Sequence, residues 1–150
     1  MKTIPINSIR RQCNGCTRCC EGWLETTVLG QDLRNGKHCQ FLKDSSCSVY
    51  KDRPQEPCRS YTCEWINNEI FPDWLKPNLS NVIITKRVPN DANLTYYDVI
   101  ETGTKIDSTV LNWIILWALR ENINLLYHVG GEAHCLGSEH FYNEIIKVTN

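Results

Sequence analysis

The sequence lacks any long apolar run, and its aliphatic and aromatic stretches fall well short of the roughly 18 residues that a membrane-spanning helix needs. Its N-terminus also lacks a continuous apolar segment and a cleavage site of small residues. Arg10 and Arg11 stand where a secretory signal peptide would be apolar. These absences predict a soluble, cytoplasmic protein with no membrane partner.

Familiar catalytic signatures are also missing. The chain contains no Walker A loop, no glycine-rich dinucleotide-binding motif and no His-Glu-x-x-His sequence. No dense stripe of Lys and Arg interleaved with aromatic residues is present, and the sequence pI is about 6.4. The sequence therefore indicates no known enzyme class, leaves the question of catalysis open and argues against nucleic acid as a partner.

No internal repeat, low-complexity tract or long linker divides the 150 residues, a length that fits one domain. Aliphatic residues are scarce between residues 13 and 63, where Gly, Ser and Pro favour turns over long helices. We predict a single domain in which residues 1–70 form a metal-binding, cysteine-rich lobe and residues 71–150 form a ββαβα portion.

Cysteine, by contrast, is abundant. Eight of the nine cysteines fall between residues 13 and 63, and the first four form a Cys-x-x-Cys-x-x-Cys-Cys run. Thiolates two residues apart can turn towards one cation, and eight soft donors exceed the four that a tetrahedral ion uses. The candidate metal ligands are Cys13, Cys16, Cys19, Cys20, Cys39, Cys47, Cys58 and Cys63.

A disulfide framework is the main alternative, because an even set of closely spaced cysteines is also typical of small secreted domains. The missing signal peptide argues against it, since closely spaced thiols in a reducing cytosol are more often ligands than cross-links. Metal binding would then supply folding free energy to a segment that can bury little apolar surface.

Strand periodicity is clearest in the second half of the chain. β-branched and aromatic residues fill segments 82–88 and 94–100, and the turn-forming residues between them predict a β-hairpin. Residues 123–129 predict a third strand that ends at Gly130-Gly131. In the first half, residues 23–30 alternate well enough for one short strand ending at glycine.

Two helices complete the predicted fold. Asp107 or Ser108 can cap a helix through residues 110–120, which is apolar almost all round and is therefore expected to be buried against the sheet. Residues 139–148 predict a final helix. The predicted fold class is α+β, with a loop-rich cysteine lobe followed by a small antiparallel sheet, a hairpin plus one strand, and two helices.

The cysteines belong to longer sequence blocks. Cys13-Asn14-Gly15-Cys16-Thr17-Arg18-Cys19-Cys20 is followed by Cys39-Gln40-Phe41-Leu42, Cys47-Ser48-Val49-Tyr50 and Arg53-Pro54-x-x-Pro57-Cys58-Arg59-x-Tyr61. In order and spacing these blocks closely resemble the CxxCxxCC cysteine-cluster family, described as zinc- or iron-chelating proteins. Segments 63–65 and 75–82 resemble a branch of that family, so the resemblance covers most of the chain. It implies metal chelation through cysteine and no known reaction, and Cys135 lies outside the shared pattern.

Two arrangements of metal remain open. Two tetrahedral zinc sites with interleaved ligands would use all eight thiols, and the adjacent Cys19 and Cys20, whose side chains diverge, would then serve different roles. One [4Fe–4S] cluster on four of the thiols is the alternative, because Cys-x-x-Cys-x-x-Cys also occurs in cluster proteins. We expect zinc, about two ions, although the sequence does not assign which cysteines share an ion.

Residues beside the ligands are expected to support the site. Pro54 and Pro57 would stiffen the peptide that presents Cys58, and Arg53 or Arg59 would stabilise thiolate charge by hydrogen bonding. Weaker candidates contain histidine. His38 could replace a sulfur, and His134 beside Cys135 could form a nucleophile or a ligand, although the side chains of adjacent residues generally point two ways.

Three functional classes follow from these observations. The leading interpretation is a non-enzymatic, cytoplasmic protein that chelates zinc or iron through the eight cysteines. In it the metal is mainly structural, and the α+β portion offers a surface for a protein partner or ligand. The alternatives are an iron–sulfur protein with redox or protein-modifying enzyme activity, and a metal-trafficking protein with exchangeable ions.

Overall fold

The computed structural model describes residues 11–13 and 15–149, which form an α+β fold. The expectation about a signal peptide falls on residues 1–10, which lie outside this range, as does Asn14 of the first cysteine run. Among the residues described, no helix is both long enough and apolar enough to cross a membrane.

Short hairpins and single helical turns build the lobe. Its strands are β1 (Thr26–Val28), β2 (Gln31–Leu33), β3 (Leu42–Lys43) and β4 (Ser46–Cys47), and its helical turns are Arg18–Cys20, Tyr50–Asp52 and Gln55–Arg59. The strand predicted over residues 23–30 is shorter in the structure and begins at Thr26. It ends early because Leu29 and Gly30 take positive φ values and turn the chain into β2.

The rest of the chain contains four longer strands and four helices among the described residues. The strands are β5 (Val82–Arg87), β6 (Tyr96–Glu101), β7 (Asn124–Val129) and β8 (Glu132–Leu136), and the helices are α1 (Glu64–Asn67), α2 (Pro77–Ser80), α3 (Ser108–Glu121) and α4 (Glu139–Thr149). Single helical turns lie at Asp73–Leu75 and Ala92–Leu94. The predicted hairpin, the third strand and both long helices are confirmed.

The sheet is mixed, so the prediction of an antiparallel sheet is wrong. Its strand order is β5-β6-β7-β8, and β5 pairs with β6, and β7 with β8, in antiparallel fashion. β6 and β7 run parallel, with Tyr96 opposite Asn124 and Val99 opposite Tyr127. The parallel pairing follows from the connection, because α3 returns the chain to the end of the sheet at which β6 begins.

The fourth strand differs from the predicted ββαβα order. Gly130 and Gly131 have φ values of 59° and 86°, which suit a two-residue hairpin turn, so the chain turns back into β8 instead of leaving the sheet. Residues 132–136 contain no β-branched residue and offer little strand signal. The observed order in this portion is ββαββα, preceded by α2.

The main hydrophobic core lies between one face of the sheet and α3. Twelve of the described residues are buried in it: Trp65, Phe71, Leu75, Val82, Ile84, Val99, Ile106, Val110, Ile114, Trp117, Ala118 and Leu125. Trp65 belongs to α1, so the last residues of the predicted 1–70 lobe pack with the sheet and not with the cysteine-rich hairpins.

α3 begins where the sequence predicts but is not buried on all sides. The Asp107 carboxylate accepts a hydrogen bond from the Thr109 N–H at 2.8 Å and so caps the helix. Leu116 and Leu119 are 62% and 58% exposed. The expected packing of α3 against the sheet is confirmed for the face that carries Ile114 and Trp117, and the opposite face is exposed.

Polar and aromatic contacts join the lobe to the sheet portion. Arg18 Nη2 donates to Asn81 Oδ1 at 2.8 Å, and the hydroxyl groups of Tyr61 and Thr85 lie 2.8 Å apart. The Trp23 ring lies so close to Gly103 that a Cβ there would come within 3.0 Å of it. These contacts hold the cysteine-rich hairpins against the β5 side of the sheet.

Candidate metal centre

Two consecutive turns present the first four cysteines. The Cys16 N–H donates to the Cys13 carbonyl oxygen at 2.6 Å, which closes the first turn. The helical turn Arg18–Cys20 follows, and the Cys20 N–H donates to the Thr17 carbonyl oxygen at 2.8 Å. Tight backbone turns of this kind bring sulfurs two or three residues apart to one region of space.

Cys39 is brought to this run by the backbone. Its N–H donates to the Cys20 carbonyl oxygen at 2.8 Å, and its carbonyl oxygen accepts from the Leu42 N–H at 3.0 Å. Cys39 is buried with Val28 and Leu33 in a small apolar cluster, separate from the main core. Two cysteines with eighteen residues between them in the sequence are therefore adjacent in the fold.

Cys47 and Cys58 lie around the same small cluster. Cys47 pairs with Leu42 across the β3–β4 hairpin, and Leu42 packs against the cluster. Cys58 lies in the helical turn Gln55–Arg59, and its side chain also packs there. The hairpin and the turn thus approach Cys39 from different parts of the sequence.

Cys63 lies directly before α1 and packs against the main core. Burial raises the pKa of its thiol to about 11, and the nearby charges of Cys13 and Cys16 also raise it. Partial desolvation and then the charge of Cys16 raise the pKa of Cys13 in the same way. These three sulfurs are therefore electrostatic neighbours.

Cys58 has a different set of neighbours. Burial raises its pKa first, followed by the charges of Cys20, Cys39 and Cys47. The Arg53 guanidinium acts in the opposite direction and lowers it. Of the three thiols, Cys20 and Cys39 share the small apolar cluster with Cys58.

Cys19 and Cys20 interact directly, with their sulfur atoms 3.9 Å apart. The hydrogen bond between them raises the pKa of Cys19 well above its usual value, and burial adds to that shift. The same hydrogen bond lowers the pKa of Cys20 to about 7, although burial opposes it. One thiol of this pair therefore holds its proton while the other is half ionised near neutral pH.

Glu21 anchors the first cysteine run. Its carboxylate accepts hydrogen bonds from Thr17 at 2.8 Å, from Arg18 at 3.0 Å and from Trp23 at 3.3 Å. Burial acts to raise the pKa of Glu21, but these three donors lower it overall. Because Arg18 also donates to Asn81, the network fixes the turn that carries Cys19 and Cys20 against the sheet portion.

Arg11 has a structural role that no sequence pattern indicated. Its guanidinium donates to the carbonyl oxygens of Trp65 at 2.8 Å, of Asn68 at 3.1 Å and of Phe71. It also lies 4.5 Å from the centre of the Trp65 ring. Arg11 therefore satisfies carbonyls at the end of α1 and ties the segment before Cys13 to the segment after Cys63.

Arg59 organises the loop that presents Cys58. Its Nε donates to the Arg53 carbonyl oxygen at 2.8 Å, and its Nη2 donates to the Lys51 carbonyl oxygen at 2.6 Å. These two donors meet backbone oxygens, and the expected hydrogen bond from the Arg59 side chain to sulfur stays a prediction. Arg59 acts on Cys58 through the backbone that it holds.

Arg53 supports the thiols through its charge. Its Nη1 donates to the Tyr50 carbonyl oxygen at 2.8 Å, and its guanidinium carbon lies 4.0 Å from the centre of the Tyr50 ring. Its positive charge lowers the pKa values of Cys13 and Cys58, although burial outweighs it at both thiols. The support of thiolate charge by Arg53 therefore stays a prediction, and this electrostatic effect is in the direction it requires.

We expect the Arg53→Met and Arg59→Met variants to hold metal about 10- to 100-fold less tightly, the usual scale for residues that support ligands. Methionine keeps the apolar stem but removes the charge of Arg53 and the two carbonyl contacts of Arg59. Competition with a chelator measures the loss, and the stoichiometry at saturating metal should not change.

Arg34→Met is the matched control for this prediction. Arg34 lies in the same lobe, is about half exposed and pairs only with Asp32, at 3.5 Å, among the ion pairs of the described residues. Its removal should leave metal affinity unchanged. If Arg53→Met and Arg59→Met also held metal as tightly as the parent, both arginines would be surface or partner-binding residues.

The histidine candidates are not placed as ligands or as a nucleophile pair. His38 is exposed, whereas the neighbouring Cys39 is buried. His134 stacks on Tyr127 at 5.3 Å between ring centroids, and both His134 and Cys135 lie in β8, where successive side chains point to opposite faces. Cys135 therefore turns away from His134, and β8 is remote in the fold from the cysteine-rich hairpins.

The donor set fits a thiophilic metal. All nine cysteines are free thiols, and three of the eight candidate ligands, Cys20, Cys39 and Cys58, share one apolar cluster. In the described ranges, however, no three or more Cys, His, Asp or Glu side chains already converge as a metal-holding group. A bound ion would have to draw neighbouring thiols together. Sulfur-only ligands favour zinc or iron–sulfur centres over magnesium or calcium.

A scan against protein-family models, a search of curated proteins and a search of solved structures each return no match. Membership of the CxxCxxCC cysteine-cluster family therefore stays a prediction from the cysteine spacing.

Proposed function

We propose that the chain is a cytoplasmic metal-binding protein whose eight clustered cysteines hold zinc, about two ions per chain, in closed four-sulfur coordination. The observation that supports this proposal most is the grouping of thiols from five separate segments of sequence in one lobe. Several of these thiols also raise one another's pKa, so they oppose joint ionisation, and a bound dication would favour the thiolate forms.

The metal has a mainly structural role in this proposal. The small cluster of the lobe has three buried members, Val28, Leu33 and Cys39, whereas the main core has twelve among the described residues. A structural zinc ion contributes about 10–16 kcal/mol of apparent binding free energy in small zinc domains. That contribution would replace the apolar core that the lobe lacks, and the α+β portion would then be available to a protein partner or ligand.

Metal trafficking is a second candidate, which two features of the first cysteine run favour. Cys13 is exposed, and the pKa of Cys20 is lowered to about 7, so an incoming acceptor could reach one thiol and find the other half ionised. Rapid removal of the ion by a mild chelator without unfolding would support this candidate. A structural ion should instead resist extraction until the lobe opens.

Elemental analysis combined with a visible absorption spectrum of anaerobically purified protein tests the proposal. We expect about two zinc ions per chain and no colour, because zinc has no d–d transitions. Iron with inorganic sulfide and a brown colour would contradict the zinc proposal and support the iron–sulfur alternative. Protein without stoichiometric metal that also fails to bind added zinc would contradict metal binding altogether.

A further inference from the structure

We propose that β8 pairs with β8 of a second copy of this chain, so that two four-stranded sheets join into one continuous sheet. The two strands run antiparallel about a two-fold axis at His134. This pairing does not depend on the proposed metal binding, because β8 forms one edge of the sheet and the cysteine-rich hairpins lie against the other, the β5 side.

The two edges of the sheet differ in what covers them. α1 and α2 of the same chain contact β5, and the hydroxyl groups of Tyr61 and Thr85 lie 2.8 Å apart there. Among the described residues, β8 makes no backbone hydrogen bond outside its ladder with β7. The outer side of β8 therefore presents peptide N–H and C=O groups that another strand can bind.

The turn between β7 and β8 determines which backbone groups point outwards. Gly130 and Gly131 form a two-residue turn with φ values of 59° and 86°. Such a turn is closed by a hydrogen-bonded pair, here Val129 with Glu132, and the two kinds of pair alternate along an antiparallel ladder. The backbone groups of Glu132 and of every second residue after it therefore face β7.

The outward N–H and C=O groups of β8 belong to Ala133 and Cys135. When β8 pairs with its copy about His134, Ala133 lies opposite Cys135 of the second copy, and Cys135 lies opposite Ala133. Each of these two pairs exchanges two hydrogen bonds, so four backbone hydrogen bonds join the chains. Only this centre pairs all five residues of the strand with one another.

The side chains of β8 fit the same register. His134 stacks on Tyr127 of β7, with 5.3 Å between ring centroids and 19° between ring planes. At the two-fold axis it faces His134 of the second copy in a non-hydrogen-bonded pair, the kind in which side chains lie closer. The rings thus continue as one ladder across the seam. On the other face, Ala133 and Cys135 are small and do not obstruct the approach of the second strand.

β8 also lacks the features that usually protect an exposed edge strand. It contains no Pro and no Lys, and its register with β7 is regular over all five residues, without a bulge. Glu132 is its one formally charged side chain and lies opposite Leu136 of the second copy, so no like charges meet. A second copy of β8 therefore matches this edge in hydrogen bonds, ring stacking and charge.

Sedimentation velocity of the purified protein tests the pairing. One strand pair makes a small interface, below about 1,200 Å² in total, so the dimer should dissociate on dilution. We expect a mass approaching twice the 17.4 kDa of one chain at high micromolar concentration and the mass of one chain at low concentration. In the same range, nuclear magnetic resonance should show that the amides of Ala133 and Cys135 gain protection from hydrogen exchange. The His134 amide faces β7 and should be protected throughout.

Two substitutions weaken the pair without removing a backbone hydrogen bond to β7. His134→Lys sets two ammonium groups against each other at the axis and should raise the dissociation constant of the dimer about 10-fold or more. Ala133→Pro removes one outward N–H from each chain, which an edge strand tolerates, and should raise it about 10- to 100-fold. His140→Lys is the matched control, because His140 is exposed in α4 beside Asp91 and should leave the dimer unchanged.

Disulfide trapping checks the register and does not depend on these variants. In a Cys135→Ser background, His134→Cys places two sulfurs in a non-hydrogen-bonded pair whose Cα atoms lie about 4.5 Å apart, within disulfide range. Glu132→Cys is the control, because the two copies of residue 132 lie four residues apart along the strands, about 13 Å. Peptide mapping under non-reducing conditions should find a link between the two copies of residue 134 and none between those of residue 132.

The proposal would be overturned by a parent that stays monomeric into the millimolar range, with Ala133 and Cys135 amides that exchange freely. Such a result would leave the edge to a strand from a different protein. A dimer that folded His134→Lys and Ala133→Pro variants retain at parental strength would overturn it too, as would equally efficient links at residues 132 and 134. Metal content, measured on the same samples, decides the proposed function separately.

Discussion

The Cys16→Ser and Cys58→Ser variants are expected to lose metal and to unfold the cysteine-rich lobe, whereas Cys135→Ser should keep the metal content of the parent. Cys16 lies in the turn closed by its hydrogen bond to Cys13, and Cys58 packs against the small cluster around Cys39. Cys135 lies in β8, paired with Leu126. The three variants therefore make the same chemical change in three different environments.

Unfolding should follow metal loss because so little apolar surface holds the lobe together. Fixing the backbone of one residue costs about 1–2 kcal/mol of conformational entropy, and burial of one large aliphatic side chain returns about 1.5–3 kcal/mol. In the lobe, Val28 and Leu33 are the large aliphatic side chains of the small cluster. Without the metal, its hairpins have too few buried side chains to stay ordered.

Hydrogen exchange resolved by segment, together with zinc content, measures this coupling. Amides of residues 15–61 should lose protection in Cys16→Ser and Cys58→Ser, while those of β5–β8 keep it because the main core remains packed. Equal metal loss from Cys135→Ser would show that the candidate ligand set is wrong. Full metal loss with unchanged protection in the lobe would show that the fold does not depend on the metal.

Elements with a strong local pattern could be predicted from the sequence. The β5–β6 hairpin follows from β-branched segments on both sides of Pro89-Asn90-Asp91, and α3 begins at its predicted cap, Asp107. In each of these elements residues near in sequence supply the signal, because turn chemistry and capping are local interactions. These elements could therefore be predicted without any knowledge of the tertiary fold.

What the sequence could not provide was pairing over long distances. No local feature of the sequence shows whether β7 pairs with β6 in parallel or antiparallel fashion. The pairing of Tyr96 with Asn124 depends on the path of α3. β8 was missed because a glycine pair ends a strand in some contexts and forms a hairpin turn in others. Sequence spacing likewise identifies the eight thiols but not their neighbours. Those depend on backbone contacts, such as the hydrogen bond from the Cys39 N–H to the Cys20 carbonyl oxygen.

Trp117→Ala is expected to destabilise the sheet portion by about 3–5 kcal/mol, the usual range for removal of a buried tryptophan. Trp117 is 2% exposed and lies edge-on to Phe71 at 4.8 Å and to Tyr97 at 5.1 Å between ring centroids. It also stacks on Trp113 at 6.5 Å. The cavity would therefore remove contacts to both α3 and the sheet.

Leu116→Ala is the matched control, because Leu116 is the preceding residue of the same helix and is 62% exposed. Its effect should stay within about 0.5 kcal/mol, as for most surface substitutions. Denaturant unfolding followed by far-ultraviolet circular dichroism measures both variants without relying on tryptophan fluorescence. Similar losses in the two variants would mean that α3 does not pack on the sheet through Trp117.

Zinc release during the same unfolding experiment tests whether the main core supports the cysteine that packs against it. Cys63 packs against the main core, whereas Cys39 and its neighbours pack in the separate small cluster. Trp117→Ala should therefore lower the denaturant concentration at which zinc held by Cys63 is released, and leave release of zinc held by Cys39 near its parental value. Release of both ions at parental concentrations would show that the lobe holds Cys63 without support from the sheet.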